Sequence, residues 1–315
     1  MIHISLLKLT KRFFQMVIVL FFVSFFTFLL TYLAPGDPAS AMFAASGIVP
    51  SEDMLKAARH SMGLDKPFVL QYTSWLTNCL AGDFGTSFSK KTPVAALLSQ
   101  RLWPTLKLAL FSLVLMLALS LPAGIVSAVR QNKFTDYLFR GFSFVGISMP
   151  GFWIGLLLLY IFALKLNLLP VISTTAGWKR LVLPGVTLAI AMASKYSRQV
   201  RAAVLEELQQ DYVVGAKARG IKPSVIMIRH VLPNALLPLV TMLGLSLGSL
   251  LGGTAVVEIV FAYPGLGNLA VNAVGARDYP LIQGIVLWIA MIYMVINLLV
   301  DLSYSLIDPR IRKEA

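Results

Sequence analysis

From Phe13 to Leu33 the chain reads FFQMVIVLFFVSFFTFLLTYL, without one charged side chain. About 20 consecutive apolar residues wound as an α-helix match the hydrocarbon core of a bilayer. Lipid offers no hydrogen bonds, so the backbone of such a run must satisfy itself, as a helix does. Five further apolar segments follow, near 104–129, 138–164, 182–198, 236–258 and 282–304. The expectation is an all-α polytopic membrane protein with six transmembrane helices. Composition agrees: 13% of the residues are charged, where a soluble domain carries about 25%. The first run exceeds the roughly 7–15 apolar residues of a secretory signal peptide. The APGDPAS that follows is a poor cleavage site, so this run is expected to stay as an anchor.

Orientation follows from Lys and Arg, which concentrate on the cytoplasmic side of bilayer spans. With the N-terminus inside, more than half of the 27 basic residues fall in cytoplasmic segments. These include Lys8, Lys11 and Arg12, then Arg130, Lys133 and Arg140, a dense group from Lys195 to Arg229, and Arg310, Arg312 and Lys313. Both termini are therefore expected in the cytoplasm. The net charge of +13 then reports topology, and no nucleic-acid partner is expected. The expected order is an N-terminus and first span over 1–33, an extracytoplasmic segment over 34–103, a core over 104–304 and a tail over 305–315. Within the extracytoplasmic segment, SEDMLKAARHSMG reads as a short helix capped by Ser51, and AGDFGTSFSKKTP reads as turns.

Catalytic signatures are missing. No G-x-x-x-x-G-K-[ST] occurs, so this chain builds no phosphate-cradling loop. Neither H-E-x-x-H nor G-x-S-x-G is present. His3, His60 and His230 lie far apart, and Cys79 is the one cysteine, so no metal site and no internal disulfide are expected. The chain is expected to be no enzyme and to hold no cofactor. Lys107, Arg140, Lys195, Glu258 and Asp301 fall near span ends rather than at mid-depth. An ion-coupled carrier keeps ionisable residues inside its bundle as a relay. Their scarcity favours energy supplied by a separate subunit, with a stand-alone secondary carrier or channel as the alternative.

Gly244, Gly248 and Gly252 recur four apart, on one helix face, and permit close helix approach. Packing explains this spacing; so does a pathway or gating helix, to which Glu258 would also belong.

Between the fourth and fifth spans lies a polar interruption, DYVVGAKARGIKPSVIMIRHVLPNALLP, from Asp211 to Pro238. Leu205, Leu208, Tyr212 and Ala216 form one helical stripe. Glu206 and Glu207 come early in it and Lys217 and Arg219 late, the order that complements a helix dipole. Gly220 suits the left-handed position just past a helix end, and Pro223 the first turn of a second helix. Val225, Ile228 and Leu232 continue the stripe, and Pro233 and Pro238 mark the return to the membrane. A cytoplasmic hairpin over 202–234 is expected, either lying on lipid headgroups or inserted into a soluble partner.

The hairpin resembles the E-A-A, three residues, G, nine residues, I, one residue, L-P motif of permeases in binding-protein-dependent ABC importers. Here Val214-Gly215-Ala216 is followed by Gly220, His230 and Leu232-Pro233. The alanine, the glycine and the Leu-Pro pair match; Val214 replaces the glutamate and His230 the isoleucine. LAPGDPA, GLDKPFVLQY, GDFGTSF, ISMPGFW, VEIVFAYPGLGNLAVNAVGARDYPLIQG and DPRIRK extend the likeness to the dipeptide/oligopeptide/nickel permeases, and to the first of the two permeases in such systems. WL…GDFGTSF leans toward the nickel or metal-chelate branch. The resemblance implies a type I importer fold and a heterodimer with a homologous second permease. It also implies two cytoplasmic ATP-binding subunits that carry ATP and Mg, and an extracytoplasmic solute-binding protein. The residues it marks for coupling to the ATPases are Asp211, Tyr212, Gly215, Ala216, Ala218, Gly220, His230, Leu232 and Pro233.

Overall fold

The computed structural model describes residues 6–172 and 177–307; the terminal DPRIRK and its basic residues lie outside them. Among the described residues there are thirteen α-helices and no strand. The chain divides into two compact units, Met1–Thr105 with Pro264–Val295, and Leu106–Tyr263 with Ile296–Ala315.

In the first unit, α1 (Leu6–Leu33) is followed by three short helices, α2 (Pro38–Ala45), α3 (Glu52–Ser61) and α4 (Phe68–Leu80). Ser51 caps α3 as its sequence predicts, its hydroxyl accepting from the Met54 N–H at 3.3 Å. Asp37 caps α2 in the same way and also pairs with Arg59 of α3 at 3.0 Å. The phenylalanines of α1 meet α4 through ring edges: Phe25 and Phe28 both lie 5.6 Å from Tyr72. The Tyr72 hydroxyl, buried at that contact, shares a 2.8 Å hydrogen bond with Ser24. This gives the polar tip of the ring a partner.

The helix α5 (Val94–Val129) begins ten residues before the expected second span, because Val94, Leu97 and Leu98 continue its apolar face into a buried cluster. That cluster also takes residues of α12 (Leu266–Gly275) and α13 (Tyr279–Ile307). One carboxylate organises this end of the unit. Asp278, fully buried, accepts from Ser87 Oγ at 2.6 Å, Ser89 N at 2.9 Å, Ser89 Oγ at 2.8 Å and Phe88 N at 3.1 Å. Two sequence signatures 191 positions apart, GDFGTSF and ARDYP, thus meet in one hydrogen-bonded clamp.

In the second unit, α6 (Phe134–Ser148) and α7 (Gly151–Leu158) replace the expected single span over 138–164. They are bent by 102° at Met149 and Pro150. Proline expels the preceding residue from helical geometry, and Met149 is extended with ψ 132°. A π-helical turn, Leu159–Lys165, continues α7. The centre of the unit is α8 (Lys179–Leu208), with Ala189, Ala193, Tyr196, Val200 and Val204 buried at helical spacing. The neighbours of α8 approach to backbone distance. A Cβ at Gly124 of α5 would collide with Val200, and one at Gly146 of α6 with Ser194. Among the described residues three helices are long and apolar enough to cross a bilayer, or five if each bent pair counts as one span. The expected fourth span is not among them, because Lys195, Arg198 and Arg201 enter its helix before the apolar run is complete.

Below the core, Asp136 of α6 has no exposed surface, and Arg201 of α8 grips it with two 2.8 Å bonds, Nε to Oδ1 and Nη2 to Oδ2. Ser127 Oγ and the Asn132 N–H complete the shell at 2.5 and 2.9 Å. Removing one member strands a buried charge, at a cost of about 3–5 kcal/mol. Arg201→Met is therefore expected to lower stability by about 3 kcal/mol, and Arg201→Lys by less because a point cation keeps part of the attraction. Thermal unfolding of the detergent-solubilised variants, followed by circular dichroism, measures both.

Candidate functional site

The stretch expected to form a hairpin does so, with different helix boundaries. Leu205 and Leu208 belong to the end of α8; the chain breaks at Gln209 and Gln210, and α9 (Asp211–Ala218) starts anew. The expected dipole pairing changes with it. Glu206 and Glu207 stand at a helix C-terminus, where they are unfavourable, while Asp211 and Lys217 occupy the first and last turns of α9, where charge of their sign is stabilised. Val213 and Ala216 point into the core of the second unit, and Asp211, Gly215 and Ala218 are exposed.

Gly220 closes α9 with φ +72°. Its N–H donates to Lys217 O at 2.9 Å, and the Ile221 N–H to Ala216 O at 3.2 Å. These are the two bonds of a Schellman motif, completed by the apolar side chain of Ile221. Pro223 then starts α10 (Pro223–Ile226) at its first position, as expected.

The second arm has no break at Leu232-Pro233. Instead α10 widens into a π turn, Met227–Val231, and passes directly into α11 (Leu232–Val260). Pro233 has no N–H, and its ring would press on the carbonyl four residues back. The wider π turn immediately before it relieves that crowding. The Asn234 side chain donates to the His230 carbonyl at 3.0 Å. From the first arm, the Tyr212 hydroxyl donates to Glu207 Oε2 at 2.5 Å and accepts from Asn234 Nδ2 at 3.4 Å, with the His230 carbonyl also 3.4 Å away. Burial and then the Glu207 carboxylate raise the Tyr212 pKa, which keeps the phenol a donor. The arms are thus tied at the base by Tyr212 and at the tip by Gly220. His230 is exposed, Leu232 half-buried and Pro233 exposed. Two large apolar side chains stand uncovered on the hairpin: Val214 is 58% exposed and Ile228 65%.

The glycine face of α11 packs at its first member. A Cβ at Gly244 would lie 2.7 Å from Val300 of α13. Gly248 is half-buried, Gly252 lies within the helix, and Glu258 is fully buried near its end. Among the described residues no group of three His, Cys, Asp or Glu side chains is placed to hold a metal ion.

The sequence pattern places Arg201 among the cytoplasmic basic residues but does not identify Asp136 as its partner. The signal was Asp136 itself, the lone acid in a loop that holds Arg130, Lys133 and Arg140. Nor does the sequence pattern show the Tyr212–Asn234 tie or the Asp278 clamp.

Comparison with known proteins fits this architecture. The family of binding-protein-dependent transport system inner membrane components matches residues 120–313, and its N-terminal counterpart matches residues 5–109. The chain belongs to this family. It is 40% identical over 309 residues to a probable peptide ABC transporter permease protein, y4tP, of Sinorhizobium fredii, covering 96% of this chain and 98% of that one. The glutathione transport system permease protein GsiC of Escherichia coli is 38% identical over 302 residues, covering 96% and 97%. GsiC of Pectobacterium atrosepticum is 41% identical over the same length and coverage. Among solved structures, the inward-facing MetNI methionine ABC transporter aligns with a TM-score of 0.56 at 20% identity, over 67% of this chain and 96% of that one. It shares the fold. This permease is accordingly the translocation subunit of an ABC importer, a multi-pass protein of the bacterial inner membrane.

At Gly220 an added Cβ meets nothing within 4 Å. Substitution there costs backbone strain alone, roughly 1–2 kcal/mol for a β-branched residue and less for Asn, which tolerates the left-handed region. Gly220→Val is expected to loosen the hairpin while the permease still inserts, and Gly220→Asn to stay near wild type. Limited proteolysis between Lys217 and Lys222 reads the difference.

Proposed function

We propose that the permease moves short peptides, and that its hairpin over 202–234 receives motion from separate ATP-binding subunits in the cytoplasm. The observation that carries this is a hairpin fixed at both ends, by the Gly220 turn and by the Tyr212 tie, with Val214 and Ile228 uncovered between charged neighbours. A rigid shape with apolar side chains left in water suits insertion into a soluble partner. Continuity through the π turn into α11 supplies a path from that contact to the core.

In this reading two ATP-binding subunits carry ATP and Mg, a homologous second permease completes the translocation path, and a solute-binding protein delivers cargo to the opposite face. Both termini lie in the cytoplasm, so the segment over 34–103 faces the binding protein. The side chains that replace the family's glutamate and isoleucine, Val214 and His230, are exposed, so the docking contact here is apolar and steric at Val214 rather than ionic. Peptide is favoured over a nickel complex by the relatives, whose names specify peptide and glutathione, itself a small peptide.

Two measurements test the reading. In proteoliposomes holding the assembled transporter and its binding protein, peptide uptake is expected to require ATP and to survive collapse of proton and sodium gradients. Uptake by this chain alone, driven by an ion gradient, would establish a secondary carrier instead. Ile228→Asp places a charge on the exposed apolar site and is expected to cut co-purification of the ATP-binding subunits about tenfold, with membrane insertion unchanged. Undiminished co-purification would place the docking contact elsewhere.

A further inference from the structure

The first unit contains a cleft of about 1040 Å³, at the upper end of the size range of ligand pockets. Phe28 and Tyr32 of α1 and Trp75 of α4 supply an aromatic wall. Arg59, His60, Lys66 and Lys91 also line the cleft, with Asp37 as the acid among them. Two of these are already satisfied, Arg59 by Asp37 at 3.0 Å and His60 by Asp65 at 2.8 Å. Lys66 and Lys91 are exposed and form no ion pair with any described residue. The cleft therefore carries an uncompensated positive charge beside an apolar wall.

The backbone at Lys91 is also held in place. Its φ is +53°, a left-handed conformation that a side-chain-bearing residue keeps only when its surroundings impose it. The Lys91 N–H donates to Ser87 O at 3.0 Å, and the Lys90 N–H to Ser87 Oγ at 3.0 Å. Ser87 in turn is fixed by the buried Asp278. On the other side of that clamp, Arg277 is left-handed as well, at φ +51°. A clamp, a strained backbone and a free cation converge on one edge of one cleft, and the mechanism of coupling uses none of them.

We infer that this cleft binds the free C-terminal carboxylate of a short peptide, with Lys66 and Lys91 receiving the carboxylate and the aromatic wall its side chains. The inference rests on the peptide reading above and deepens it. A bare cation is disfavoured by the net positive lining, and the carboxylate and imidazole present are taken by Arg59 and Asp65. A lysine ammonium can donate to an amide carbonyl as well, but a carboxylate adds the attraction of opposite charge and makes the stronger bond.

The test uses the assembled transporter in nanodiscs, without its binding protein, so that protein's own preferences do not enter. The probe is a tripeptide carrying a benzophenone side chain, made with a free or an amidated C-terminus. Labelling by the free-carboxylate probe is expected to map to the Ser87–Lys91 loop or α4. The paired substitution Lys66→Ala and Lys91→Ala should reduce it about tenfold, the worth of one charge-assisted bond of about 1.5 kcal/mol. Lys66→Arg with Lys91→Arg should restore it, and the amidated probe should label weakly in every variant. Equal labelling by both probes, or labelling indifferent to the lysines, overturns the site. Weakened cross-linking to the binding protein with peptide labelling unchanged assigns the lysines to an acidic protein surface and also overturns it. Wild-type transporter that imports no peptide with ATP and binding protein present defeats the peptide reading first, and this site with it.

Discussion

A carboxylate removed from water must be paired or lose its charge, and Asp136 is paired by a guanidinium that matches it bond for bond. That ion pair joins the turn after α5 and the start of α6 to the lower part of α8. The rest of the second unit is built around the helix so fixed. Upward from Arg201, α8 buries one face among α5, α6 and α11, close enough at Gly124 and Gly146 that no larger residue fits. Downward, within two turns, α8 ends and the hairpin begins. The position of the hairpin therefore inherits its precision from a charge pair two helical turns away from it.

The first unit solves the same problem with different chemistry. Asp278 is equally buried, and it accepts from hydroxyls and backbone N–H groups of one loop and of its own helix start. A guanidinium links two helices through side chains alone. A set of N–H and hydroxyl donors fixes the conformation of a backbone segment. The first device suits a strut and the second suits a loop that has to hold a shape, which explains why left-handed Lys91 and Arg277 are tolerated beside it.

What the sequence disclosed and concealed divides along range of interaction. Ser51 as a cap, Gly220 as a left-handed turn and Pro223 as a first-turn residue were legible, because each is dictated by a few neighbouring φ and ψ values. The stripe Leu205, Leu208, Tyr212, Ala216 misled, because helical spacing persisted across a break at Gln209 and Gln210 that no glycine or proline announces. Leu232-Pro233 misled in the opposite sense: a proline that signals an end was absorbed by a π turn. The span over 138–164 concealed a sharp bend, although the Met149–Pro150 step that causes it was visible. The buried partners of Asp136 and Asp278 lie 65 and 191 positions away, beyond the reach of periodicity or propensity.

The asymmetry of the hairpin's two arms bears on how a push there would travel. The first arm is interrupted at Gln209 and Gln210, so α9 is joined to α8 by a non-helical step rather than a continuous helix. The second arm stays helical from Pro223 through the π turn into α11, which bends by 45° between Leu236 and Pro238 and extends to Val260. A continuous helix transmits displacement along its axis, whereas a break lets one segment pivot on the next. On the proposed coupling, α8 then serves as the anchored side, held by Asp136 and Arg201, and α11 as the moving side. The π turn before Pro233, where the hydrogen-bond ladder is widened, and the 45° bend at Pro238, which has no N–H to donate, are where that arm bends at least cost.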